Sequence, residues 1–149
     1  MWRRSRTWDP GTWSERTGRP RVLIEDPDGA ILWASEDFLR REGLDVAVCG
    51  GPETMGCRRC PLVTSGDCAL AEGADVIYTS LRWHNPESRE VLRALRAQHP
   101  RTPVVVEIPE PDVKRFADVL TGCQVVHVPS ERATMLGAIR DALATTSAS

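Results

Sequence analysis

Four cysteines lie close together near the middle of the chain and could act as ligands. Cys49, Cys57, Cys60 and Cys68 follow the pattern C-x7-C-x2-C-x7-C. A C-x2-C pair presents two thiolates from one tight turn, and two further thiolates would complete a tetrahedral site for zinc or an iron–sulfur cluster. The outer spacings are longer than in familiar zinc modules, so unligated thiols or a disulfide within the loop are an equally open interpretation. Cys123 stands apart and is predicted to be a small core residue.

Other residues with acid–base or ligand chemistry are more scattered. Glu25 and Asp26 follow an apolar run and could hold Mg²⁺, but adjacent acids at a strand end are more often solvated loop residues, so we do not expect magnesium. The three histidines are predicted to be structural or surface residues: His84, His99 and His127. Because the chain has no Ser–His–Asp order and no glycine-rich phosphate loop, we do not expect an enzyme.

Short apolar runs that alternate with amphipathic segments supply the elements that must position these residues. Strands are predicted at 21–26, 45–49, 74–81, 103–108 and 124–128. Helices are predicted at 30–42, 87–98 and 112–120, with a last helix capped by Ser130. This alternation predicts an α/β domain with a five-stranded parallel sheet of order 2-1-3-4-5, the flavodoxin-like doubly wound fold.

The stretch from 50 to 73 should hold the second helix but has an irregular composition. It contains several glycines, two prolines and three cysteines, and few large apolar side chains. We therefore expect an irregular, cysteine-rich replacement of that helix, in which a bound metal could supply the missing cross-link. Cys49 is expected at the carboxyl end of the second strand, the edge of the sheet where ligands usually bind.

Length and composition indicate how many domains the chain has and which partners and locations to expect. The 149 residues fit one domain, predicted at 20–144, with a flexible arm rich in Trp and Arg at 1–19 and a disordered tail at 145–149. The net charge of −2 gives no global attraction to nucleic acid or membrane. No apolar run approaches the roughly 20 residues of a membrane helix, and no secretory signal is apparent, so a cytoplasmic location is expected.

In order and spacing, residues 21–144 resemble the receiver domain of bacterial response regulators. Such domains begin with a strand that ends in two acids, as RVLIED does with Glu25 and Asp26, and the segment REGLDVAV is similar to their second strand. Their third strand ends in a phosphoacceptor aspartate, their fourth in Ser or Thr, and their fifth in Lys-Pro. The resemblance puts Ser80, Ile108 and Val128 at those three places.

This degenerate pocket implies a pseudo-receiver. An aspartyl phosphate needs a carboxylate nucleophile, a divalent cation and positive charge, and Ser80, Ile108 and Val128 supply none of them. The resemblance implies a non-enzymatic signalling module that binds a protein partner or a second copy of itself through about 112–144, without a DNA-binding domain. The alternative is a redox sensor that depends on zinc or an iron–sulfur cluster at the four cysteines. A flavodoxin-like enzyme is a third hypothesis, which lacks a recognisable nucleophile–base pair.

Overall fold

A parallel five-stranded sheet forms the centre of the molecule in a computed structural model that describes residues 12–54 and 60–147. The strands are β1 (Arg21–Glu25), β2 (Asp45–Cys49), β3 (Val76–Thr79), β4 (Val104–Ile108) and β5 (Gln124–His127). Their order is β2-β1-β3-β4-β5, and every neighbouring pair is parallel. The predicted fold class is therefore confirmed.

Helices cover both faces of this sheet. They are α1 (Gly29–Arg41), α2 (Pro61–Thr64), α3 (Ala69–Gly73), α4 (Pro86–Gln98), α5 (Glu110–Arg115), α6 (Ala117–Leu120) and α7 (Arg132–Ser147). One core lies between the sheet and α1 and α7, and contains Ile24, Tyr78 and Ile139. The other lies under α4 and the short helices, and contains Leu23 and Leu92. Successive residues of a strand therefore enter opposite cores, as the pleat requires.

Local capping chemistry explains where the longer helices begin. The Asp28 side chain accepts hydrogen bonds from the backbone of Ala30 and Ile31 and starts α1. Asn85 caps α4 with Pro86 in its first turn, as predicted. The prediction that Ser130 caps the last helix is wrong, because α7 begins at Arg132 and the Ser130 hydroxyl donates to a side chain of β4 instead.

The expected irregular replacement of the second helix is confirmed. Among the described residues of this segment, 50–54 and 60–75, a 3₁₀ turn (Pro52–Thr54) follows β2, and α2 and α3, of four and five residues, precede β3. The predicted helix at 112–120 is also divided, into α5 and α6, which meet at Phe116. No described helix is long and apolar enough to cross a membrane.

Part of the segment predicted as a flexible arm lies against the domain. Trp13 donates from Nε1 to the carbonyl of Leu70 at 3.0 Å, and its ring lies under the Arg21 guanidinium. Arg16 forms two hydrogen bonds of 3.0 Å with the Asp75 carboxylate. The ordered contacts thus begin before residue 20, and α7 continues past residue 144 to Ser147. Residues 1–11 and 148–149 of the predicted arm and tail lie outside the described residues.

Candidate functional site

The two acids at the end of β1 belong to different environments. Glu25 and Asp26 are only 5% and 7% exposed. Because side chains alternate along a strand, Glu25 lies on the same face of the sheet as Leu23. It therefore faces the α4 side, towards the cysteine-rich segment. Asp26 turns to the other side, where its side chain accepts a hydrogen bond of 2.8 Å from the backbone of Asp28. The two acids predicted to share one pocket therefore lie on opposite sides of the sheet.

Glu107 of β4 is the centre of a hydrogen-bond network on the Asp26 side. Its Oε1 accepts from Ser130 Oγ at 2.6 Å and from the Tyr78 hydroxyl. Its Oε2 accepts from Ser80 Oγ at 3.2 Å. One carboxylate thus joins β3, the loop after β3 and the connection from β5 to α7, and charge-assisted bonds of this kind are the stronger ones.

The network places the Glu107 carboxylate close to that of Asp26. Burial raises the pKa of Asp26; the hydrogen bond from Asp28 acts in the opposite direction, and the negative charge of Glu107 raises the pKa further. Burial, followed by the hydrogen bond to Glu107, also raises the pKa of Tyr78 well above its usual range. The hydroxyls of Tyr78 and Ser80 are therefore hydrogen-bond donors to Glu107 rather than ionised nucleophiles.

Of the two other residues that the resemblance placed in the pocket, one lies elsewhere and one lies beside the network. Ile108 is fully buried in the core on the α4 side, so the pleat places Glu107 beside Ser80 instead. Val128 is 39% exposed and lines a groove of about 330 Å³ together with Glu107 and Ser130. Sequence reasoning missed Glu107, although a single acid within the apolar run VVVEI was a usable signal of a buried polar contact.

The three described cysteines of the C-x7-C-x2-C-x7-C pattern converge on the Glu25 side. Cys49 ends β2 directly beside Glu25 in the strand register. Cys60 precedes α2 and is 8% exposed, and Cys68 precedes α3. Cys57 lies outside the described residues.

Burial is the main reason that these thiols are poor acids. It raises the pKa of Cys49 beyond the usual range and the pKa of Cys60 to about 11, and the nearby Glu25 raises both further. The pKa of Cys68 is also raised, by burial and by the nearby Glu25. Without a metal ion, the described thiols are therefore protonated at neutral pH and are weak nucleophiles.

Glu25 and its neighbour in the register, Thr79, carry buried oxygen atoms without hydrogen-bond partners in the described structure. These atoms are Glu25 Oε1 and Thr79 Oγ1. Burial raises the pKa of Glu25 to about 7, and Thr79 is close enough to lower that pKa slightly, although the two side chains do not form a hydrogen bond of ordinary geometry. Within residues 12–54 and 60–147, no three His, Cys, Asp or Glu side chains are arranged to hold a metal ion as they stand.

The tryptophans and Cys123 occupy clearly different environments. Trp83 is 3% exposed and donates from Nε1 to the Glu107 carbonyl at 2.9 Å, so it is a core residue. Trp33 on α1 is 71% exposed. Cys123 is half-buried and packs against the core on the α4 side.

Comparison with known proteins identifies the fold. No protein-family model matches the chain, and no curated protein matches it. Among solved structures, a response regulator receiver domain protein from Clostridium thermocellum is similar with a TM-score of 0.65 and 18% identity, over 86% of this chain and 97% of that one. A CheY-like receiver domain protein from Methanospirillum hungatei gives 0.68 and 18%, over 87% and 97%. The chemotaxis protein CheY4 of Vibrio cholerae gives 0.62 and 19%, over 84% and 99%. The chain therefore has the receiver fold.

Proposed function

We propose that this chain is a pseudo-receiver, a non-enzymatic regulatory module of the receiver fold that acts through protein contacts without aspartyl phosphorylation. The observation that carries the proposal is the Glu107 network. At the end of β3 and β4, where a receiver would bind a phosphoryl group, this chain has one carboxylate that accepts hydrogen bonds from the hydroxyls of Tyr78, Ser80 and Ser130.

The chemistry of the pocket supports this proposal. A phosphoryl group brings negative charge, so a divalent cation would first have to bind at the carboxylates of Glu107 and Asp26, and Glu107 is already engaged by three hydroxyls. The position of the nucleophile is taken by Ser80, whose hydroxyl hydrogen already points at Glu107. A serine needs a free general base to attack, and Glu107 is shared with two other donors. The network is therefore better suited to fix the loops than to accept a phosphoryl group.

The proposed partner surface lies between about 112 and 144. It includes the edge strand β5, where Gln124 and His127 are exposed, and an open groove between β5 and α7. Ser130, which lies within this surface just before α7, is fixed to β4 by Glu107. The network thus holds the surface in one conformation, which is a useful property for a constitutive binding module. The partner is a protein of complementary shape or a second copy of the chain.

Phosphoryl transfer can be tested directly. The purified chain is incubated with acetyl phosphate and Mg²⁺, and its intact mass is measured beside a receiver domain that carries the acceptor aspartate. We expect the control to gain one phosphoryl group and this chain to gain none. A phosphoryl adduct that disappears in the Ser80→Ala variant would refute the proposal.

A second candidate function is a metal- or cluster-dependent redox sensor at the cysteines. It is favoured by the convergence of Cys49, Cys60 and Cys68 on one buried region beside Glu25. Anaerobic purification followed by metal analysis tests it. Brown protein that contains iron and sulfide would support a cluster, and colourless protein with about one zinc per chain would support a structural site. Metal-free protein would refute this candidate.

A further inference from the structure

Three arginines of α4 lie along its border with α5 and α6. Arg89, Arg93 and Arg96 are spaced by four and three residues, so they share one side of the helix. Arg93 Nη2 lies 3.4 Å from the Asp118 carboxylate of α6. Arg96 lies beside the turn that follows α6, where a Cβ at Gly122 would be 2.6 Å from its Nη2. This side of α4 is therefore directed at the neighbouring short helices.

A fourth arginine reaches the same border from α5, at Phe116. The Cζ atoms of Arg115 and Arg89 lie 5.5 Å and 4.8 Å from the centroid of the Phe116 ring. Both distances are within the range of a cation–π contact, roughly 6 Å. Arg89 also donates from Nη1 to the carbonyl of Trp83 at 2.7 Å, which fixes its position. We call the four residues that meet along this border the arginine face: Arg89, Arg93, Arg96 and Arg115.

Most of the positive charge on the arginine face is not paired with a carboxylate. Arg93 is the exception, and its ion pair with Asp118 is solvated, with side chains 54% and 73% exposed, so it contributes little. Glu110 and Lys114 lie one turn apart on α5 and offset each other. In the part of the chain that the structure describes, no carboxylate lies within ion-pair distance of the other three arginines: Arg89, Arg96 and Arg115.

The remaining acids of these helices are directed or paired elsewhere. Glu87 and Glu90 of α4 line a cavity against α2. The Asp112 side chain is 14% exposed and lies 3.0 Å from Nε2 of His84. The arginine face therefore keeps uncompensated positive charge in a chain whose net charge is −2.

We propose that the arginine face binds a segment of a partner protein that is rich in Asp and Glu. This inference deepens the proposed function and rests on it, because it gives the partner surface a chemistry and extends it from residue 112 to α4. A guanidinium presents several N–H donors in one plane, which match the two oxygens of a carboxylate. Nucleic acid suits the face less well. The net charge of the chain is negative, and Phe116 is only 8% exposed and cannot stack on a base.

Fluorescence anisotropy of a labelled peptide of about ten glutamates, titrated with the full chain, tests the proposal. We expect saturable binding that weakens as salt is added, because the contacts are exposed to solvent. Arg115→Glu replaces an attraction with a repulsion and should weaken binding about threefold or more. Arg41→Glu is the matched control. It makes the same change of charge at an exposed position of α1, on the other side of the sheet, and should alter the affinity by less than about twofold.

Each other outcome would overturn the proposal in a recognisable way. Failure of the wild-type chain to bind the peptide would overturn it, and so would equal losses in Arg115→Glu and Arg41→Glu. A labelled single-stranded DNA of similar charge that binds more tightly than the peptide, and that Arg115→Glu weakens, would assign the face to nucleic acid instead. None of these results depends on phosphoryl transfer. An adduct formed with acetyl phosphate would refute the pseudo-receiver function and leave the peptide result unchanged.

Discussion

Replacement of Glu107 by Ala is the most informative perturbation of the hydrogen-bond network around this residue. The substitution removes the acceptor for three hydroxyls at once. The hydrogen bond from Trp83 Nε1 should remain, because its acceptor is the backbone carbonyl of residue 107, which the substitution does not change. We expect a loss of folding stability without a change of fold.

The magnitude follows from the burial of the three donors. Tyr78 is 1% exposed, and a buried donor left without a partner costs about 1–3 kcal/mol. Ser130 Oγ, at 3.4 Å from the Tyr78 hydroxyl, remains as a weak acceptor, so the lower part of that range is expected. Ser80 and Ser130 are only half-buried and can turn to water, so each should add about 0.5 kcal/mol. Removing Glu107 also relieves its repulsion of Asp26, which offsets a part of this loss. After this offset, the expected decrease in the free energy of unfolding is about 1–3 kcal/mol.

Urea unfolding of four proteins measures this loss and identifies its origin. The set consists of wild type, Glu107→Ala, Tyr78→Phe and the double variant. Because the two side chains share a hydrogen bond, we expect a coupling energy of about 1–2 kcal/mol in the double-mutant cycle. Glu90→Ala, at an exposed acid of α4, is the control and should stay within about 0.5 kcal/mol of wild type. Additive single effects, or a Glu107→Ala loss no larger than the control, would refute the reasoning.

Three further outcomes are expected from the rest of the molecule. Ile139→Ala, at a fully buried position under α7, should lower the free energy of unfolding by about 2–5 kcal/mol in a urea titration, and a loss below about 1 kcal/mol would contradict its place in the core. Trp13→Ala should speed hydrogen exchange at α3, because it removes the bond to the Leu70 carbonyl; unchanged exchange there would show that the segment is not anchored. Burial alone would raise the pKa of Asp75, but the bonds from Arg16 and the backbone of β1 lower it below its usual range. The stabilisation is therefore present above the unfolded-state pKa of about 3.9 and is lost as the pH falls through the lower folded-state value. The shift in urea midpoint caused by Arg16→Ala should accordingly shrink as the pH falls below the unfolded-state value, and a shift that did not depend on pH there would contradict the ion pair.

The sheet and its order could be predicted from the sequence because they depend on local patterns. Continuous apolar runs predict strands buried on both faces. Gly43 and Gly122, with φ values of 89° and 82°, end α1 and α6 by the backbone conformation that glycine adopts most readily. The irregular second helix was also predictable, since glycine, proline and cysteine replace the apolar face that a helix needs to pack.

The arrangement of the candidate site could not be predicted because it depends on which face of the sheet each residue enters. Glu25 and Asp26 are adjacent in sequence, yet the pleat sends them to opposite sides. A shift of one residue in β4 similarly places Glu107, and not Ile108, beside Ser80. The contacts of Trp13 with α3 join positions more than 50 residues apart in the chain, which no local pattern indicates.

The central claim is that the Glu107 network takes the place of a phosphoryl-binding pocket. Beryllofluoride with Mg²⁺ mimics an aspartyl phosphate, so its titration into labelled protein tests that claim most directly. Amide resonances would be followed at Asp26, Ser80 and Ser130, which surround the pocket. We predict no saturable shift at these three positions, while the same titration shifts the resonances of a receiver domain that carries its acceptor aspartate. Saturable shifts centred on Ser80 and Asp26 would contradict the claim.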